Sequence, residues 1–164
     1  MAREKEHELK ARGYDDDFLH RAKRMLHEPG ISVVKDALTA IEAGRVHAMH
    51  DPTEGGLATG LYELAWAGRV GIEVEYERIP FVQEGLKLCA EFGLDPLGTI
   101  ASGALLIVVH PNDVDAILSA LRDVNINAQV VGTVIEPEQG VLLKRGGEAT
   151  PLPLFVKDEI AKLF

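Results

Sequence analysis

The sequence predicts an α+β fold, a layered α/β/α sandwich built on a mixed β-sheet, and three observations lead there. Apolar residues recur at helical spacing in several separate segments, as in Phe18, Leu19, Ala22, Met25 and Leu26. One segment alternates instead, with Val70, Ile72, Val74 and Tyr76 set against Gly71, Glu73 and Glu75. Segments of the two kinds interleave along the whole chain, which is the pattern of helices layered on a sheet.

Taken in order, residues 3–12 are nearly all charged, and Gly13 interrupts them. Asp15, Asp16 and Asp17 then stand where a helix N-terminus favours negative charge, and Pro29-Gly30 ends that helix. Residues 1–30 read as a charged helical linker, and residues 31–164 as the domain proper. Ser32 is the expected N-cap of a second helix with Val33, Val34, Ala37, Leu38 and Ile41 as its stripe, and Gly44 closes it. A short strand over Val46 to Met49 runs into His50-Asp51-Pro52-Thr53-Glu54-Gly55-Gly56 and then a helix from Leu57 to Trp66. After the alternating strand, Phe81 to Phe92 reads as a helix closed by Gly93 and Pro96. The last third reads as a βαβ-like, partly ferredoxin-like unit: a strand over Leu105 to Val109, a helix opened by Pro111, and a strand over Ala128 to Ile135. A short strand over Gly140 to Lys144, the Gly146-Gly147 turn and a final helix through Val156, Ile160 and Leu163 complete the reading.

With 164 residues the chain has the length of one domain. Aromatic residues are only 5%, so the core must be built from Leu, Val, Ile and Ala. A formal net charge of −9 argues against a nucleic-acid backbone or an anionic membrane as partner. It does not oppose a phosphorylated small molecule, which a few backbone N–H groups can hold. The single cysteine, Cys89, lies in a helical apolar pattern and reads as a buried core thiol; no disulfide within the chain is possible. The charged first residues are no signal peptide, and a cytoplasmic location is the expectation.

The junction Asp51-Pro52-Thr53-Glu54-Gly55-Gly56 is the informative segment. A strand-to-helix loop presents N–H groups without helical acceptors, at the positive end of the helix dipole. Paired glycines leave room for a phosphate to approach the backbone, and Thr53 adds a hydroxyl. Asp51 and Glu54 would repel a bare phosphate, so they are candidates for Mg²⁺ or its bound waters, or for ordering the loop. The competing reading is purely local: Asp51 or Thr53 caps the helix and the glycines make the turn. Ser102-Gly103, at the entry of a buried strand, offers a hydroxyl and an N–H to the same ligand, or is a simple turn. A metal site from His47, His50 and Asp51 requires an irregular backbone, because positions three apart on a strand face opposite ways. Asp95-Pro96 reads first as turn chemistry, and Lys144-Arg145-Gly146-Gly147 as a solvated hairpin.

The run HDPTEGGLATGLYELAWAGRVGIEVEYERIPF resembles the DPT-x-GG-LA signature that opens the carboxy-terminal domain of the aminoimidazole-ribonucleotide-synthase superfamily. The upstream GISVVKDAL, and CAEFGLDPLG and SGALLIVV further on, follow in the order of its HypE-like, hydrogenase-maturation branch. The resemblance implies an ATP-dependent protein whose amino-terminal domain dimerises and supplies most ATP and Mg²⁺ ligands. It implies that Asp51, Thr53, Gly55, Gly56, Ser102 and Gly103 line the phosphate pocket from this side. It also implies that a chain lacking the amino-terminal domain is inactive by itself. Two departures count against the dehydration chemistry of HypE proper. The chain ends Ile160-Ala161-Lys162-Leu163-Phe164 without a terminal cysteine, and Ala101-Ser102-Gly103-Ala104 replaces an Asn-Glu-Gly-Lys sequence. The alternative from a different class is a non-catalytic interaction module of the same fold.

Overall fold

The computed structural model describes residues 1–164. Two short helices open the chain, α1 (Glu6–Ala11) and α2 (Asp16–Arg24). Asp15 caps α2 by accepting the Phe18 N–H at 2.6 Å, so the acidic cluster starts the helix it was expected to start. The charged segment is docked by its few apolar residues. Leu9, Phe18 and Leu19 are buried against Leu88 of α5 (Gln83–Glu91), while Arg12 and Tyr14 both bond the Glu91 carboxylate.

Helix α3 (Val34–Ala43) leads to β1 (Val46–His50), α4 (Gly56–Gly68) and β2 (Gly71–Glu75). After α5 come β3 (Leu106–Val109), α6 (Val114–Asp123), β4 (Gly132–Ile135), β5 (Val141–Arg145) and β6 (Glu148–Pro151). The strands form two sheets rather than one. β1 and β3 pair antiparallel, and the second sheet has the order β4-β2-β5-β6, with β2 and β5 parallel and the other pairs antiparallel.

Helix α4 lies between the sheets. Its Ala58, Leu61 and Ala65 bury against Ile72 and Val74 of β2, Val141 and Leu143 of β5, and Leu97 and Leu152. On its other side Gly60 abuts His50 and Leu106, where an added Cβ would meet the Pro52 side chain at 2.8 Å. The Leu and Val side chains of this core each contribute about 1.5–3 kcal/mol of burial. α3 and α6 cover the outer face of the two-stranded sheet through Ala40, Ile117 and Leu121. The order of layers is therefore helices, small sheet, α4, larger mixed sheet. No helix is long and apolar enough to cross a membrane.

Four local expectations are corrected. β3, α6 and β4 do not make a βαβ unit: β3 is zipped to β1, and β4 joins the other sheet beside β2. Periodicity sets a strand's faces but not its partner. The strand expected from Ala128 begins only at Gly132. Ser32 does not cap α3, whose N-cap is Val33 without a side-chain bond. The final helix is only a 3₁₀ turn over Glu159–Leu163, and Val156 is 93% exposed. The residues before that turn are irregular, with a bend at Val156-Lys157, and Leu152 among them donates its N–H to Val141 O and is buried in the main core. β6 itself escapes a sequence reading, since Glu148–Pro151 has no alternation and ends in proline, tolerated here on an edge strand.

Candidate functional site

The loop between β1 and α4 has a buried floor and an exposed lip. Pro52, Gly55 and Gly56 are buried, whereas Asp51, Thr53 and Glu54 are exposed. Gly55 and Gly56 both have left-handed backbones, with φ of +77° and +66°, a pair of conformations that side chains disfavour. The Thr53 carbonyl accepts the Gly56 N–H at 3.1 Å and the Ala101 N–H at 3.3 Å. Ala58 donates its N–H to Leu97 O at 2.9 Å, so the first turn of α4 is stitched to the segment Leu94–Thr99.

The glycine pair is explained by internal packing rather than by room for a ligand. A Cβ on Gly56 would lie 2.5 Å from Leu97 O and 2.7 Å from Thr99 O, both backbone atoms that cannot give way. A Cβ on Gly55 would strike the Thr59 side chain.

The Gly55 N–H has an anionic partner. It donates to Asp158 Oδ2 at 2.8 Å, while Asp158 Oδ1 accepts the Ile160 N–H at 2.8 Å. One carboxylate thus sits at the N-terminus of the 13-residue α4, whose first turn has no acidic residue of its own, and caps the C-terminal 3₁₀ turn as well. Asp158 was not among the residues singled out from sequence. An aspartate opening a short terminal helix was the available signal, but it points only to the local cap.

The other candidates divide cleanly. The Thr53–Ala101 bond places Ser102-Gly103, an exposed turn, next to the loop. A Cβ on Gly103 would meet Gly30 O at 3.0 Å, so the turn also leans on the segment before α3. Asp95 performs turn chemistry: its Oδ1 accepts the Leu97 N–H at 2.9 Å, and its carbonyl accepts the Thr99 hydroxyl at 2.8 Å. The corner at Arg145-Gly146-Gly147 is the exposed hairpin expected, joining β5 to β6. The Arg145 guanidinium stacks 3.5 Å from the Tyr76 ring centroid, and Gly146 donates its N–H to Glu77, holding that carboxyl below its ordinary range.

Three metal candidates do not come together. His50 Nε2 lies 2.6 Å from Glu63 Oε2, and the His47 ring faces that of His110 at 6.2 Å between centroids. No three His, Cys, Asp or Glu side chains are arranged to hold a metal ion. Asp51 is thus part of no such cluster, and this chain alone does not assemble a Mg²⁺ site. Cys89 is buried beside Thr99, and burial pushes its thiol pKa up, as suits a core residue.

Comparison with known proteins places this geometry. Residues 4–144 match the family described as AIR synthase related protein, C-terminal domain. The carbamoyl dehydratase HypE of Rhizobium leguminosarum bv. viciae is 36% identical over 100 residues, which are 60% of this chain and 29% of that protein. The crystal structure of E. coli HypE superposes with a TM-score of 0.71 at 27% identity, covering 80% of this chain and 42% of that one. A structure of the hydrogenase maturation protein HypE in complex with ATP superposes with a TM-score of 0.64 at 28% identity, covering 72% and 38%. The chain thus spans about 30% of the length of the curated relatives it matches. It belongs to the family of AIR synthase related protein C-terminal domains, and within that family it is HypE-like.

Proposed function

We propose that this chain is the carboxy-terminal part of an ATP-dependent HypE-like protein in hydrogenase maturation or a related biosynthetic step. The loop from Asp51 to Gly56 forms one wall of a phosphate pocket that an amino-terminal ATP-binding domain completes. Residues 1–30 lead out of that domain, which also carries the homodimer contact. Thr53 offers its hydroxyl to the phosphate, Ser102-Gly103 flanks it, and Asp51 supplies at most one oxygen to Mg²⁺. The substrate is an amide- or carbamoyl-like small molecule activated by phosphoryl transfer, chemistry that rests on positioning and charge neutralisation. The ATP in the HypE complex supports this reading.

The observation that carries the proposal is the Asp158 carboxylate on the Gly55 N–H at 2.8 Å. The helix end holds an anionic oxygen in the way it would hold a phosphate oxygen.

The test is calorimetry with ATP and Mg²⁺, on the chain alone and after mixing with the amino-terminal half of a HypE-like relative. Binding that appears or tightens with the added half supports the proposal; no heat in either arm opposes it. Thr53→Ala, on the exposed lip, should weaken binding about fivefold, for a loss of roughly 1 kcal/mol. Gly56→Val is unsuitable as a probe because its Cβ collides with backbone whether or not phosphate binds.

A second reading, a non-catalytic interaction module, is favoured by one observation. Val34, Leu38 and Ile41 form an exposed stripe on α3, each more than half accessible, beside exposed Ile31. The calorimetry separates the two: no ATP binding with or without the added amino-terminal half supports the module.

A further inference from the structure

We infer that the carboxy-terminal segment, residues 153–164, is a built-in occupant of the loop's anion position, and that Asp158 must leave Gly55 before a phosphate can take its place. This rests on the reading of the loop as a phosphate wall given above, and it adds how access to that wall is controlled.

One N–H makes one good hydrogen bond, and the Gly55 N–H is committed to Asp158 Oδ2. A phosphate oxygen at the same N–H would stand against a carboxylate, so the two anions exclude each other. Asp158 is fixed in this role from behind, because its other oxygen caps its own 3₁₀ turn through the Ile160 N–H.

The segment that carries Asp158 is fastened in a way that permits release. Its root is firm: Leu152 is buried in the core and Pro153 stiffens the exit. Beyond that point half of the apolar side chains face solvent, with Leu154 70%, Val156 93% and Phe164 75% exposed. Phe155, Ile160 and Leu163 are half-buried, and Phe155 packs on the main core and against Gly98, where any added Cβ would strike its ring. The remaining ties are polar and few. Glu159 donates its N–H to Gly98 O at 2.9 Å, and Glu159 Oε2 accepts the Asp95 N–H at 3.0 Å. Segments with little apolar burial are those that open locally at low cost.

There is also somewhere to go. A cavity of about 590 Å³ borders the segment, with Phe155, Glu159 and Lys162 on one side and Tyr76 and Arg145 on the other. Its charged lining is balanced, Arg145 and Lys162 against Asp95 and Glu159, with Lys162 paired to Glu159 at 2.6 Å, so Arg145 is the cation there that a displaced Asp158 would meet.

The latch lowers phosphate affinity by the fraction of molecules in which it is closed. It also ranks ligands: a polyphosphate, with several oxygens and more charge, competes with a tethered carboxylate better than a single carboxylate in solution does.

The test uses the whole isotope-labelled chain, with pyrophosphate as probe, and follows backbone amide shifts in wild type, Asp158→Ala and Glu159→Gln. Removing the internal anion should tighten pyrophosphate binding about tenfold, read from the Gly55 amide. In wild type the Gly55, Gly98 and Glu159 amides should move along one binding curve, as the segment leaves while the ligand arrives. Glu159→Gln loosens the same segment without touching Gly55, and should tighten binding by a smaller factor; it carries the test if Asp158→Ala fails to fold. Equal affinities in all three proteins, with Gly55 still responding, overturn the latch and leave the phosphate wall standing. A Gly55 amide that responds in none of them overturns both.

Discussion

Asp158 and Gly55 stand 103 residues apart in sequence, and the carboxylate of the first holds the backbone N–H of the second at 2.8 Å. The same carboxylate bonds Ile160, so the start of α4 and the last turn of the chain share one cap. The fold thus ties its C-terminus to the loop on which its proposed function depends.

Removing that cap has a measurable cost. Asp158→Ala leaves two N–H groups without their charged acceptor and should lower stability by about 1–2 kcal/mol. Asp158→Asn, which keeps an acceptor oxygen, should recover a good part of it. Urea denaturation of the three proteins checks this, and an unchanged midpoint for Asp158→Ala would mean that the bond adds nothing to folding.

Gly56→Ala and Gly93→Ala should separate crowding from backbone strain. Both glycines have positive φ, but only at Gly56 does a Cβ meet backbone, 2.5 Å from Leu97 O, whereas nothing lies within 4 Å at Gly93. Gly93→Ala should cost about 1 kcal/mol for its left-handed conformation, and Gly56→Ala about 3 kcal/mol. Similar losses at the two sites would show that α4 is not pinned to Leu97–Thr99 as described.

Leu9→Ala tests whether the charged amino-terminal segment belongs to the folded body. Leu9 is fully buried against α2 and α5, so its truncation should cost about 3 kcal/mol in a single cooperative transition. A loss near zero, or a separate early transition, would mark residues 1–25 as an appendage.

Acid should loosen the C-terminal segment. The Lys162 ammonium and then the Asp95 N–H hold the buried Glu159 carboxyl below its ordinary 4.5. Because the folded pKa lies below the unfolded one, the ionised carboxylate stabilises the fold fully above about 4.5. That contribution is lost as pH falls through the depressed native value. Stability measured from neutral pH downward should therefore drop in that acidic window, and Glu159→Gln should remove this part of the drop.

Much of this architecture was legible along the chain because it is local. The alternation of β2 puts Ile72 and Val74 into the core, and Asp15 caps the helix its acidic cluster announces. The strand–loop–helix junction at Asp51–Gly56 falls where the glycines and the helical pattern place it. What escaped depends on partners distant in sequence. Nothing in Leu105–Val109 tells whether that strand will pair with β1 or β4, and nothing near Gly55 names Asp158. The demand for glycine at position 56 was legible, but its cause, the backbone of Leu97 and Thr99, was not. The terminal apolar residues Val156, Ile160 and Leu163 imitate a helical stripe, although only Glu159–Leu163 coils, as a 3₁₀ turn, and Val156 lies in the irregular stretch before it.

Whether the N-terminus of α4 at Gly55 is an anion position is decided by a crystal structure of Asp158→Ala grown with pyrophosphate. A phosphate oxygen is expected within hydrogen-bond distance of the Gly55 N–H, with Thr53 turned toward it. A structure of that variant in which Gly55 bonds only water or protein, with pyrophosphate elsewhere or nowhere, would contradict it.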